Sequence, residues 1–440
     1  MSPGMGLAKL FRRRQRLLLV AGLISVIIYA FLSIPFVKPQ PVLDSNYYRS
    51  TYPKAWKHIF RNDYGAKAGG VWYIPPAWLN STDEAPATIL EAARLAERKA
   101  QEGNHTIPFS TIPLVIHQTW KDTRLDIWAP DIAGGVEQWL SYAMADGGSM
   151  AYFLWLDNGC AELIHDSTPA LEPGLKALPL PVMRSDVFRV VVVNSVGGIY
   201  GDIDTHPLKN PKKWLNNSSI KPWMDPMTHQ SYDIFAESKE ENASRPVRLL
   251  LGIEADTTPG TDTHWRMGYT YPVQLTQWAL AGAPNHPVLN TFVENFSSRL
   301  STIARPFKGD LGCEGAQKAL RKEDPLALTG PEAITVAARE ELGRSCGLRW
   351  DAVSGLKEAN EDGKEGRAKV VGSTVILPIT AFSPGRGKYG NMGSKPLDHP
   401  DALLQHKAQG SWRKVDLSVE LGKACRTLFG MCKDWSKVPG

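Results

Sequence analysis

Arg184-Ser-Asp-Val-Phe-Arg189 and, after a short valine-rich run, Gly197-Gly-Ile-Tyr-Gly-Asp202-Ile-Asp204 are the most informative residues in this chain. The run between them reads two ways. Val190 to Val193 have strand propensity, yet Arg184, Val187 and Val191 share one helical face, and Gly197-Gly198 is a helix stop. We read 181–196 as a helix and 199–205 as a short strand that ends in a loop. On a strand, Asp202 and Asp204 point to the same side. Two carboxylates so placed repel unless a cation sits near them. Their hard oxygens suit Mg²⁺ or Mn²⁺. At the carboxyl end of a strand in an open sheet they face a ligand crevice. A cation there can stabilise a departing diphosphate.

Working outward, strands and helices alternate. Residues 114–120 and 151–157 read as buried strands, with a helix over 136–145 between them. Residues 247–255 and 370–379 read as further strands, and 287–302 and 331–342 as helices. The alternation predicts an α/β sheet. Residues 85–101 read as a helix whose acids come early and bases late, as the helix dipole favours. Residues 357–369 are a charged, solvated loop.

The composition has 50 Lys+Arg against 45 Asp+Glu, for a net charge of +5. Lys9, Arg12, Arg13, Arg14 and Arg16 account for the whole excess. A neutral body gives no reason to expect a nucleic-acid partner, since phosphate binding needs clustered cations. Residues 17–36 are uncharged and long enough to cross a bilayer core of about 30 Å. With cations before it, this run predicts a signal-anchor with the N-terminus cytoplasmic. A cleaved signal peptide is the other reading, but its apolar core is usually shorter and ends in small residues. The expected organisation is a basic tail at 1–16, an anchor at 17–36, a lumenal stem at 37–110 and a catalytic domain at 111–440. Sequons at Asn80, Asn104, Asn216, Asn217, Asn242 and Asn295 agree with a lumenal address. Of the five cysteines, Cys425–Cys432 and Cys313–Cys346 are the expected disulfides, with Cys160 free.

A bare D-x-D is common by chance. The longer pattern around it, R-S-D-x-x-R then G-G-x-Y-x-D-x-D, resembles the sugar-nucleotide site of glycosyltransferase family 32, the fungal initiation-specific α-1,6-mannosyltransferases. Further matches follow in order: Ile112-Pro with His117-Gln-Thr-Trp120, Leu154-Trp-Leu-Asp157, Gly282-Ala-Pro-Asn-His-Pro287, Thr329-Gly-Pro331, and His406 with Gly410-Ser-Trp412. The resemblance implies a GT-A type fold, a Rossmann-like mixed sheet flanked by helices, behind an N-terminal transmembrane helix. It implies a type II Golgi membrane protein that retains the donor's α configuration. Asp202 and Asp204 would hold Mn²⁺ (or Mg²⁺) and the donor's ribose and diphosphate. Asp186 and Arg189 would hold the donor sugar and phosphate. Trp120 would line the base pocket, and His406 would be a late metal ligand or a phosphate contact. The implied donor is GDP-mannose, the acceptor an N-glycan or mannan, and a Golgi mannosyltransferase complex a possible assembly. A usual Leu-Trp-Thr-Asp is here Leu154-Trp-Leu-Asp157, which weakens any role for Asp157.

Duller readings stand beside these. Arg184 and Asp186 can be a local ion pair, and His117 a satisfied core histidine. Trp120 can be core as well as a base platform. Glu254 and Asp256 repeat the two-residue acid spacing at a strand end, either as acceptor contacts or as solvated acids. Three alternatives to the mannosyltransferase reading stay open. One is the same fold with a UDP-sugar or a glycolipid acceptor. Another is a two-acid glycoside hydrolase. The last is a non-catalytic subunit of a Golgi complex.

Overall fold

The computed structural model describes residues 44–234, 246–258, 260–261, 263–356, 366–386, 392–408 and 417–431. The expected anchor at 17–36, Asn242 and Trp412 lie outside them. No helix among the described residues is long and apolar enough to cross a membrane.

The chain builds β1 (Gly70–Tyr73), β2 (Val115–Thr119), β3 (Ala151–Trp155), β4 (Gly198–Gly201) and β5 (Thr205–Pro207). It continues with β6 (Trp223–Met224), β7 (Ser231–Tyr232), β8 (Leu249–Asp256) and β9 (Val273–Gly282). Then come β10 (Lys369–Val371), β11 (Thr374–Leu377) and β12 (Leu404–His406). Eight of these form one mixed sheet in the order β1-β3-β2-β4-β9-β8-β11-β10. β2 runs parallel to β3 and β4, while β9 runs antiparallel to β4 and β8. The carboxyl ends of β2 and β4 are therefore neighbours, where open sheets place their ligands. β12 pairs with β5 in a separate two-stranded ribbon.

The valine-rich segment is a helix, Pro181–Ser195. Pro181 is at its start, where the missing N–H costs nothing. Residues Asp186 to Val193 are all buried, because the helix is packed between the sheet and the helices Asp157–Ser167 and Pro287–Ala304. A helix buried on all sides loses the amphipathic pattern, which is why its sequence reads ambiguously. Gly197 and Gly198 then take φ of 76° and 110°. A Cβ on Gly198 would sit 2.2 Å from the Val115 carbonyl oxygen, so only glycine lets β4 enter beside β2.

The other expected elements are found with shifted ends, including helices Ile89–Glu102, Pro287–Ala304 and Pro331–Cys346. Residues 370–379 differ: Gly372, at φ 54°, turns them into the hairpin β10–β11. Much of the stretch expected as stem is packed into this domain. β1 is the edge strand of the sheet, and Ile59, Ile89, Ala92 and Ala96 join its main core. Arg94 ties the helix Ile89–Glu102 to the C-terminus of helix Pro181–Ser195 through the Ser195 carbonyl (2.7 Å) and hydroxyl (2.9 Å). Cys313 is a free thiol, so the expected Cys313–Cys346 bridge is absent; Cys160 is also free, and Cys425 is disulfide-bonded.

Candidate functional site

Asp202 and Asp204 lie just past the end of β4, in a tight turn rather than on the strand. The Thr205 N–H donates to the Asp202 carbonyl at 3.0 Å and closes that turn. The two side chains nevertheless converge. β12 pairs antiparallel to β5 and sets His406 opposite Thr205. That register brings His406 Nε2 to 3.2 Å from Asp204 Oδ1. One ligand atom each from Asp202, Asp204 and His406 lie within 4.8 Å of one another. Two carboxylates and an imidazole at that spacing are a donor set that a single Mn²⁺ or Mg²⁺ can gather. Asp204 is buried while the Asp202 and His406 side chains are 23% and 24% exposed, so the cluster is half-buried and open to solvent on one side.

Behind this cluster lies a buried ionic centre. Asp186 and Arg189 are one helical turn apart on Pro181–Ser195, and Arg189 Nη1 meets Asp186 Oδ1 at 2.9 Å. Arg189 Nη2 reaches Asp202 Oδ1 at 3.0 Å. The Tyr200 O–H donates to the same Asp202 oxygen at 3.0 Å, and the guanidinium lies 5.5 Å from the Tyr200 ring centre. The Thr329 hydroxyl donates to Asp186 Oδ2 at 3.0 Å. Gln277, from β9, donates to the Asp186 carbonyl at 3.1 Å and to the Thr329 carbonyl.

Burial and mutual repulsion act on these acids. Burial pushes the Asp186 carboxyl up to about 7, against the pull of Arg189, with Asp202 adding to the rise. Asp202 is also raised, first by burial and then by Asp204, with Arg189 opposing. Burial works against the charge on Arg189, but Asp202 and Asp186 more than offset it and keep it cationic. Among the described residues, Asp202 and Asp204 converge on one point and raise each other's cost of ionisation, a repulsion that a bound cation would relieve. Arg189 Nε is buried without a hydrogen-bond partner, as are the indole nitrogens of Trp120 and Trp278. Orphaned buried donors are uncommon, and a role in holding a ligand is one explanation for them.

Trp120 follows β2 directly and is partly buried against the core. It lies edge-on to Trp128 at 6.1 Å, and Lys121 Nζ sits 5.5 Å from its ring centre. Trp278 stacks on His406 at 4.6 Å and 16°, and its carbonyl accepts the Asp202 N–H at 2.8 Å.

Of the residues expected in the site, Asp186, Arg189, Asp202, Asp204 and His406 are joined by direct contacts. Arg184 is not; its guanidinium donates to the Leu178 carbonyl. His117 is a core residue, with Nε2 at 2.9 Å from the Gly197 carbonyl and Nδ1 accepting from Trp155. Burial holds it near pKa 4, so it is neutral. Glu254 pairs with Arg386 at 3.1 Å, and Asp256 is buried, accepting from Ser354 and Gly355. Tyr200, Gln277, Trp278 and Thr329 were missed as site residues. Tyr200 and Thr329 lie in the quoted motifs, but nothing in those motifs says whom they touch.

A mixed sheet, acids at a strand's carboxyl end and a buried arginine behind them fit an enzyme that handles an anionic ligand with a cation. Residues 132–221 match the family described as the glycosyltransferase sugar-binding region containing a DXD motif. That matched stretch contains Asp186, Arg189, Asp202 and Asp204, and it is similar to the sugar-binding region of DXD glycosyltransferases. The chain is similar to the initiation-specific α-1,6-mannosyltransferase of Schizosaccharomyces pombe, at 32% identity over 237 residues, or 54% of this chain and 48% of the relative. It is similar to the protein of the same name from Candida albicans, at 24% over 269 residues, covering 57% and 59%. The chain thus spans about half the length of these two relatives. By these matches it resembles the fungal α-1,6-mannosyltransferases of family 32, as its motifs imply. A solved structure, PaToxG glycosyltransferase, matches 61% of this chain and 84% of its own length at 13% identity, with a TM-score of 0.26, too loose to argue from.

Proposed function

We propose that this protein is a retaining, metal-dependent mannosyltransferase of GT-A type, using GDP-mannose and an N-glycan outer-chain or core acceptor. The observation that carries this reading is the convergence of Asp202, Asp204 and His406 in front of the Asp186–Arg189 pair. When bound there, Mn²⁺ or Mg²⁺ supplies positive charge that stabilises a nucleoside diphosphate as it leaves. Arg189 adds a fixed charge that does not have to reorganise, because Asp186 and Asp202 hold both its terminal nitrogens. Asp186 and Arg189 hold the donor's sugar and phosphate. Trp120, at the carboxyl end of β2, offers a flat face to the base. The acceptor hydroxyl attacks from the face that the diphosphate leaves, through an oxocarbenium-like centre. No carboxylate is required as a covalent nucleophile.

We assign the chain to the Golgi membrane as a single-pass type II protein with its catalytic domain in the lumen. The uncharged run at 17–36, the cations before it and exposed sequons such as Asn80, Asn104 and Asn217 support this. The gathering of both acids with a histidine favours a cation site over an acid pair that cleaves glycosides.

The test uses the full chain in detergent with Mn²⁺ and a panel of nucleotide sugars. Nucleoside diphosphate release is scored with and without a mannose oligosaccharide. Release from GDP-mannose that the oligosaccharide stimulates, and that EDTA abolishes and Mn²⁺ restores, is the expected result. Release only from a UDP-sugar would overturn the donor. Hydrolysis indifferent to EDTA would overturn the transferase reading, and no turnover of any donor would favour a non-catalytic subunit.

A further inference from the structure

The turn that carries Asp202 and Asp204 is pinned from beneath. The Asp202 carbonyl oxygen accepts from three donors: Gln118 Nε2 at 3.1 Å, the Thr205 N–H at 3.0 Å and Thr205 Oγ1 at 2.6 Å. Gln118 Nε2 also lies 3.4 Å from the Gly201 carbonyl, and Gln118 Oε1 accepts the Tyr152 O–H at 2.8 Å. The Trp139 N–H donates to Thr205 Oγ1 at 3.1 Å and sets that hydroxyl's direction. Gln118, Tyr152, Trp139 and Thr205 are each essentially fully buried. The chain runs as Tyr152, Gln118, Asp202 backbone, Thr205, Trp139, so strands β2, β3, β4 and β5 are tied to one carbonyl.

We infer that Gln118 is a positioning residue for the metal site, acting through the Asp202 backbone without touching ion or substrate. The inference rests on the metal-binding reading above. Its physical basis is the state of the two acids before a cation arrives. Asp202 and Asp204 repel each other, and a turn is free to relieve that by rotating its peptides. A turn whose closing carbonyl is already bound three times cannot rotate without breaking buried hydrogen bonds. Gln118 supplies the donor that comes from outside the turn, and Tyr152 orients its amide so that the N–H₂ end faces Asp202. Supporting groups one step removed from a metal typically change its affinity 10- to 100-fold. A merely structural glutamine would stabilise the fold and leave the ion's affinity alone.

The experiment measures Mn²⁺ alone binding to the full chain, followed by the electron paramagnetic resonance of free Mn²⁺, with apo-protein melting recorded alongside. Wild type and Asp204→Ala define the site. Gln118→Leu, which keeps the bulk and loses the donor, should weaken Mn²⁺ about tenfold or more. Tyr152→Phe, which only releases the amide, should weaken it about threefold, as expected for one neutral hydrogen bond. Ile116→Val, a buried trim on the same strand, should lower the melting temperature and leave Mn²⁺ affinity unchanged. Wild-type affinity in folded Gln118→Leu overturns the inference. Should that variant not fold, wild-type affinity in Tyr152→Phe overturns it instead. Wild-type protein with no Mn²⁺ site that Asp204→Ala removes would sink the metal reading, and this inference with it.

Discussion

Two arginine–carboxylate centres built on buried acids have opposite character in this molecule. Arg349 meets Asp225 with both ends of its fork, Nε to Oδ2 at 2.8 Å and Nη2 to Oδ1 at 2.7 Å. Asp225 is wholly enclosed, and the Met227 N–H and the Thr228 hydroxyl donate to its carboxylate as well. Arg349 holds its carboxyl far below the usual range, so one cation and one anion close the account. Arg189 instead divides its fork between Asp186 and Asp202, keeps an unpartnered Nε, and leaves Asp186 raised to about 7. The ingredients are alike and the stoichiometry is not. A balanced pair is structure. An arginine shared between two acids, one of which converges with Asp204 and His406, is stabilised further by a ligand that brings positive charge.

The contrast is tested most severely at Asp204. Asp204→Ala should reduce transfer by roughly three orders of magnitude or more, as loss of a main electrostatic stabiliser does. It should leave the fold intact by circular dichroism. Full activity in that variant removes the metal-site assignment.

Arg349→Ala probes the other centre. It removes the only charged partner described for an enclosed carboxylate and leaves the Met227 N–H and the Thr228 hydroxyl, which costs about 3 kcal/mol. The expected readout is a large loss of denaturant resistance with near-normal turnover per folded molecule. Normal stability would mean that the Asp225 centre is not the structural one.

The smallest effect sharpens the comparison through pH. Asp186 has a folded pKa above its unfolded value, so folding retains a proton that the unfolded chain releases. Stability from this group is present below about pH 4 and declines as pH rises toward about 7. Asp225 has the reverse sign: its contribution is present above about pH 4 and declines as pH falls below that. At pH 8 without metal, Asp186→Asn should therefore melt slightly higher than wild type, on the order of 2 °C, while losing transfer. Asp225→Asn should melt lower. Matching signs in the two variants would erase the distinction.

Some of this was legible in the chain because it is local. Asp186 and Arg189 are three residues apart, and a helix puts such residues on one face. Asp202 and Asp204 are two apart, and they converge even though they occupy a turn and not the strand expected for them. The helix itself was harder to read, since burial on every side removed its polar face. The stretch expected as stem was misread for a related reason. Polar and helical residues there gave no sign that Gly70–Tyr73 would pair with β3 or that Arg94 would reach Ser195.

By itself the sequence determined the class of chemistry: paired acids after a double glycine, an arginine and an aspartate on the preceding helix, and an ordinary α/β alternation. Those features depend on spacing within a few residues, which the geometry of a helix or a turn converts directly into distance. Only the tertiary structure decided that His406 stands against Asp204, that Trp278 stacks on it, that Thr329 and Gln277 hold Asp186, and that Gln118 holds the Asp202 turn. Each of those contacts is set by which strand lies beside which and in what register, and register is chosen by burial of the whole sheet rather than by any short stretch of the chain.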